Sequence, residues 1–265
     1  MYLQHFGLKH DPLGKDIRQY IESSQQQSIF QKLNWLIDAK GIGLITGDAG
    51  TGKTTALRQW TETLNPMTHK VIYQSDNHFR AFDIYSQLAY TLGLDKYYRY
   101  SRLWRELKSE LLSLYEQKHI TPIWVLDESH NLPGNFLHEL PSFLNFSFDT
   151  KNIMIIILCG HRSLEHTISK SYYSALTSRL LFQTTWLPID DSDEFSKYIQ
   201  IAFKNAGKQE TIISQSGIQL LHMASKGRLR NAHKIITQAL HMAALGNMNH
   251  LSDDIIQQSI EESQA

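Results

Sequence analysis

The sequence predicts an α/β protein, a parallel β-sheet covered by helices on both faces, followed by a region built of helices alone. Three observations predict it. Five short β-branched or aliphatic runs alternate with segments of helical spacing, which is the pattern of βαβ units. Two of those runs, residues 123–126 and 153–158, are apolar at every position, as central strands buried on both sides must be. Beyond Pro188 the strand signals stop and only helix-period segments remain.

The predicted strands are residues 42–46, 70–75, 122–127, 152–158 and 181–187. Between them, Phe82, Tyr85, Leu88, Ala89 and Leu92 fall on one helical face, and so do Leu103, Leu107, Leu111 and Leu114. The later helices are expected over residues 194–206, 214–224, 229–245 and 252–262. Ser192 and Ser252 are candidate N-caps, and Gly207 and Gly246 candidate stops. The expected division is an α/β core over residues 1–189 and a helical domain over residues 190–265.

Lysine plus arginine and aspartate plus glutamate both number 26, so a uniformly basic nucleic-acid binder is excluded and any such surface is local. Charge is segregated along the chain. Residues 211–250 hold Lys226, Arg228, Arg230 and Lys234 and no acid, whereas the tail from Leu251 holds Asp253, Asp254, Glu261 and Glu262 and no base. The single cysteine, Cys159, rules out an internal disulfide. The start, MYLQHFGLKHD, lacks the basic-then-apolar pattern of a signal peptide, and the apolar run at 153–159 is too short to span a bilayer. A soluble, cytoplasmic protein without membrane association is expected.

Gly47-Asp48-Ala49-Gly50-Thr51-Gly52-Lys53-Thr54 matches G-x-x-x-x-G-K-[ST] at every fixed position, and it lies between a predicted strand and a predicted helix. Glycines there let backbone N–H groups turn inward around phosphates, and the helix N-terminus, from Thr54 and Thr55 on, adds partial positive charge. In such a loop Lys53 reaches the β- and γ-phosphates and the Thr54 hydroxyl ligates Mg²⁺. ATP and Mg²⁺ are the ligands this pattern calls for. Asp127 closes the third apolar run at the ligand edge of the sheet, where a carboxylate serves as the second Mg²⁺ group. Glu128, one residue on, is placed as the general base that polarises the attacking water.

Asp127-Glu128-Ser129-His130 also reads as D-E-x-H, a helicase pattern. A helicase of that kind needs a second α/β core to complete its site, and here only helices follow residue 187. His130 is then incidental or a local hydrogen-bonding residue.

A single α/β core followed by helices is the layout of AAA+ ATPases. The segments YLQHFGL, LITGDAGTGKTT, WVLDESHNL, IIILCGHRSL and KGRLRNAHKIITQA resemble, in order and spacing, the ExeA-like AAA+ group. That group is similar to the transposition regulators TnsC, TniB and MuB, and more distantly to origin-recognition ATPases. The resemblance spans nearly the whole chain. It implies a P-loop AAA+ core with a five-stranded parallel sheet in the order 5-1-4-3-2 and a C-terminal helical lid. It also implies a γ-phosphate sensor at His161, where the group more often has Gln, and an arginine finger at Arg179 that completes a neighbouring subunit's site. Arg230 resembles the lid's sensor-two arginine, with Arg228 as its rival.

The secretion-linked ExeA proteins carry a membrane segment and a cell-wall-binding part beyond this unit, and none is seen before Ala265. The expectation is therefore a transposon-encoded regulator that assembles with ATP, as a ring or filament, on duplex DNA. It would mark a target site, with a transposase and a target-selection protein as further partners. A secretion or protein-assembly ATPase and a helicase loader or replication-initiation factor are the alternatives. For DNA contact the candidates are Lys96, Arg99, Arg102 and Arg105, interleaved with Tyr97, Tyr98, Tyr100 and Trp104. Bases in that setting meet phosphates without reading sequence. The competing interpretation is an amphipathic helix start with its aromatics in the core.

Overall fold

The structure is a computed structural model, and it describes residues 2–14, 23–75, 80–208 and 212–264. Five strands are present among them: β1 (Ile42–Gly47), β2 (His69–Gln74), β3 (Thr121–Leu126), β4 (Ile155–Gly160) and β5 (Leu180–Trp186). The helices are α1 (Tyr2–Phe6), α2 (Ser24–Ala39), α3 (Lys53–Glu62), α4 (Ala81–Leu92), α5 (Tyr100–Glu116) and α6 (Gly134–Phe143). They continue with α7 (Ser163–Ile168), α8 (Ser174–Thr177), α9 (Ser192–Asn205), α10 (Gln215–Ser225), α11 (Leu229–Leu245) and α12 (Asp253–Gln264). The strands form one sheet in the order β2-β3-β4-β1-β5, with every pairing parallel. Read from the other edge this is 5-1-4-3-2, as expected.

The chain divides into two compact units. One gathers the described residues of 1–27 with 48–55 and those of 187–265, and the other gathers residues 28–47 and 56–186. In the second unit the period-2 geometry of strands sorts side chains between two cores. Ile123, Val125, Ile155 and Ile157 face Leu33, Leu36 and Trp60 of α2 and α3. Trp124, Leu126, Ile156 and Leu158 face α4, α5 and α6. β1 and β4 are buried at every position, whereas the edge strands β2 and β5 are only partly covered. The α4–α6 face is aromatic at its centre. The Tyr85 ring lies 5.3 Å from Trp104, 5.1 Å from Phe136 and 4.7 Å from Phe143, and each pair adds about 0.5–1.5 kcal/mol to simple burial.

The first unit has its own core, where Phe195, Ile199 and Phe203 of α9 meet Leu221, Ile236, Leu240 and Ile256. The N-terminal segment belongs to this core, with Phe6 and Leu8 buried in it. Asp11 fixes the segment to α11: its Oδ2 accepts from Tyr2 Oη (3.0 Å), His233 Nε2 (3.0 Å) and Thr237 Oγ1 (3.2 Å). Burial pushes the Tyr2 phenol up to about 12, and the Asp11 charge and hydrogen bond act in the same direction.

Two helix ends differ from the expected ones. α9 is capped by Asp191, whose carboxylate accepts the Glu194 N–H at 2.6 Å, so Ser192 is its first helical residue. At the end of α11 the left-handed residue is Asn247 (φ 52°), while Gly246 keeps a negative φ. Asn is the other residue that tolerates this conformation.

Candidate nucleotide site and nucleic-acid face

In the first unit, residues 48–55 form the glycine-rich turn and open α3. Gly50 and Gly52 have φ of +78° and +107°, and Gly47, which closes β1, has +156°. Only glycine adopts such angles at no steric cost. A Cβ on Gly50 would lie 2.5 Å from the Arg230 Cβ, so the loop is closed against the start of α11. The Asp48 carbonyl accepts from Thr51 Oγ1 (2.9 Å) and from Lys53 Nζ (2.7 Å). We expect Gly50→Ala to cost about 1–3 kcal/mol of backbone strain, read as a lowered melting temperature together with weakened nucleotide binding.

The two arginines of GRLRN meet this loop differently. Arg230 is exposed and donates its backbone N–H to the Gly50 carbonyl at 3.0 Å. Arg228 reaches the loop with its head group, Nη2 to Asp48 Oδ2 at 2.9 Å, and its Nε is buried without a hydrogen-bond partner. The Asp48–Arg228 pair was absent from the sequence expectations because the two residues lie 180 positions apart.

In the second unit, β1, β4 and β3 run parallel, so Gly47, Gly160 and Leu126 close their strands at one edge of the sheet. Asp127 and Glu128 follow Leu126 there. Asp127 is buried, 4% exposed. Its Oδ1 accepts the Glu128 N–H at 2.9 Å and its Oδ2 accepts the Tyr73 hydroxyl at 2.9 Å. Tyr73 comes from β2, the neighbour of β3. Burial, then the Asp127 charge, hold its phenol far above the ordinary value, so the hydroxyl remains a donor. Tyr73 therefore fixes the Asp127 carboxylate, a role that β2 alone gave no reason to expect.

Glu128 has a left-handed backbone (φ 52°) that turns its side chain outward, where it is 57% exposed. The turn Ser129–Asn131 follows, held by Ser129 Oγ donating to the Leu126 carbonyl at 2.6 Å. His161 directly follows β4, and its backbone N–H donates to His130 Nδ1 at 3.2 Å. α7 is tied to the sheet through Glu165, which accepts from the hydroxyls of Thr46 and Thr185.

Arg179 immediately precedes β5. Its Nη2 pairs with Asp149 Oδ2 at 2.7 Å, and its side chain is 26% exposed. Asp149 ends a run of three left-handed residues, Ser147, Phe148 and Asp149.

On the outer face, Lys96, Arg99, Arg102 and Arg105 are all exposed around the start of α5. The aromatics between them divide. Tyr98 is 83% exposed, whereas Tyr100 and Trp104 pack against the Tyr85 core. The Tyr100 hydroxyl already donates to Glu139. Arg102 lies over the Tyr97 ring at 5.6 Å and Lys96 over Tyr98 at 5.5 Å. Both interpretations of the segment thus apply to different residues: bases and Tyr98 outward, Tyr100 and Trp104 inward.

Comparison with known proteins agrees with this architecture. Residues 37–168 match a family model described as AAA domain. General secretion pathway protein A of Aeromonas hydrophila is 26% identical over 255 residues, covering 94% of this chain and 46% of that protein. The chain thus spans about half the length of this relative. Among solved structures, Cdc6p from Pyrobaculum aerophilum superposes with a TM-score of 0.75 at 16% identity, covering 95% of this chain and 70% of that one. The Drosophila ORC bound to DNA gives 0.74 at 15% identity, covering 96% and 64%. No helix among the described residues is long and apolar enough to cross a membrane. Strand order, glycine loop, helical C-terminal region and AAA match agree on one assignment: this chain has a P-loop AAA+ fold.

Proposed function

We propose that this chain is an ATP-hydrolysing AAA+ regulator of DNA transposition that assembles on duplex DNA, marks target sites and activates a transposase. Residues 1–189 would serve as the nucleotide-binding core and 190–265 as the lid. The observation that carries the ATPase reading is the positive-φ glycine loop opening α3, together with the buried, oriented carboxylate of Asp127 at the carboxyl edge of the sheet. The donor set suits Mg²⁺, a hard cation that takes carboxylate and hydroxyl oxygens. Asp127 and Thr54 would hold the ion, which when bound neutralises phosphate charge. The glycine loop, with Lys53, would cradle the phosphates, and Thr55 would add its N–H at the helix start. Glu128, turned outward on its left-handed backbone, would take the proton of the attacking water. His161 and Arg230 would contact the γ-phosphate from the same subunit. Arg179 would act on the neighbour's site, which makes a homo-oligomer part of the mechanism.

Support for DNA comes from the exposed bases at Lys96, Arg99, Arg102 and Arg105, and from likeness in fold to the Drosophila ORC bound to DNA. Contact of this kind is sequence-tolerant and releases counterions. Duplex binding measured by filter retention should require ATP or a slowly hydrolysed analogue, and should weaken steeply between about 50 and 200 mM salt. Arg102→Ala combined with Arg105→Ala should reduce both the affinity and the salt slope. Absence of duplex binding with nucleotide present would refute the DNA reading and favour the second one. That reading is an ATPase of secretion or protein assembly, and the relationship to general secretion pathway protein A favours it.

A further inference from the structure

The proposed base has a neighbour that the proposed mechanism leaves unused. His130 Nδ1 lies 3.4 Å from Glu128 Oε2 and 3.2 Å from the His161 backbone nitrogen. The first is a close approach of charged groups and the second a formed hydrogen bond, and as bonds the two would need opposite states of one atom. Accepting the His161 N–H requires a lone pair on Nδ1, whereas bonding the Glu128 carboxylate requires a proton there. A single nitrogen cannot satisfy both at once. The imidazole is partly covered, 26% exposed, and its Nδ1 lies 3.4 Å from where a Cβ on Gly160 would stand.

We infer that His130 is a positioning residue that alternates between two partners, holding either the His161 main chain or the Glu128 carboxylate, and so couples the availability of the base to the placement of the sensor. With Nδ1 unprotonated, the imidazole takes the His161 amide and leaves Glu128 to accept a proton from water. With Nδ1 protonated, the imidazolium pairs with Glu128, draws electron density from the carboxylate that must act as a base, and releases the His161 amide. Both consequences of protonation oppose hydrolysis.

The other ionisable groups around His130 are few. β4 and α7 pack against its turn, and they carry Cys159, His161, Arg162, Glu165 and His166. Cys159 is buried in the sheet, and Glu165 is taken up by the Thr46 and Thr185 hydroxyls. Asp127, on the same turn, is bonded to Tyr73 and to the Glu128 N–H. Among these, Glu128 is the carboxylate recorded within reach of Nδ1.

This inference rests on Glu128 being the base of an ATPase, and its test separates the two claims. Asn at position 130 offers an oxygen or an amide near the place of Nδ1 but does not titrate. Steady-state ATP turnover would be measured across the range in which imidazoles titrate, about pH 5.5 to 8, on the full chain and on His130→Asn. For the natural chain the rate at the acid end is expected to fall about tenfold below that at the alkaline end. For His130→Asn the same ratio should stay within about twofold. Equal ratios in the two proteins would overturn the inference while leaving the ATPase reading intact. A second measurement needs no turnover: the ring-nitrogen NMR signals of His130, compared at about pH 5.5 in the natural chain and in Glu128→Gln. Loss of the carboxylate should shift the Nδ1 signal. An unshifted signal overturns the pairing whether or not the protein hydrolyses ATP, and absence of turnover with a shifted signal overturns only the ATPase reading.

Discussion

Replacing Glu128 by Gln is expected to lower ATP turnover about a hundred- to ten-thousand-fold, the usual range for loss of a general base, with nucleotide binding retained. The geometry explains why the two effects separate. Glu128 contributes its backbone N–H, not its side chain, to the Asp127 carboxylate at 2.9 Å, so Gln leaves the orientation of Asp127 unchanged. The side chain is outward and accessible, and Gln matches its size, so no folding penalty is expected. Phosphate release and equilibrium binding of a fluorescent nucleotide would be compared in the same preparation. Full turnover in Glu128→Gln would remove the residue from the chemistry. Loss of binding together with turnover would mean that it acts on the ground state instead.

Arg179→Ala is expected to bind ATP normally and to lose turnover by about three orders of magnitude or more, the range for an arginine supplied across a subunit boundary. In the single chain the guanidinium is occupied by Asp149 at 2.7 Å, the alternative that a lone arginine before a strand always presents. That pair does not rule against the finger. A pair whose carboxylate is 47% exposed is worth about 0–1 kcal/mol, far less than an arginine gains from transition-state charge on a phosphoryl group. The decisive measurement uses mixtures. Lys53→Ala protomers keep Arg179, and Arg179→Ala protomers keep an intact loop, so mixing two inactive proteins should restore part of the turnover. Unchanged turnover of Arg179→Ala at high protein concentration would refute the finger.

Much of this fold was legible in the sequence because its signals are local. The runs at 123–126 and 153–158 carry their own evidence of double-sided burial, and β3 and β4 bear it out. The glycine loop declares itself because positive φ at Gly50 and Gly52 admits no other residue cheaply. The strand order was different: periodicity contains no information about neighbours, and the order came from family resemblance. What stayed hidden is non-local. Nothing near Asp48 announces Arg228, nothing in β2 marks Tyr73 as the partner of Asp127, and nothing in YLQHFGL says that Phe6 packs among the last helices. The basic aromatic segment was ambiguous for a related reason. Helical spacing places Trp104 and Arg105 on different faces, but which aromatics turn inward depends on Tyr85, fifteen to nineteen residues earlier in the chain.

The attachment of the amino-terminal segment bears on how the chain is made. His5 Nε2 bonds the carbonyl of Met248 at 2.8 Å, 243 positions away, and Asp11 is held by His233 and Thr237. Closing so long a loop costs entropy that only finished contacts can repay. In synthesis this segment therefore precedes its binding surface by 243 positions, so Phe6 and Leu8 wait uncovered until the helices that bury them have been made.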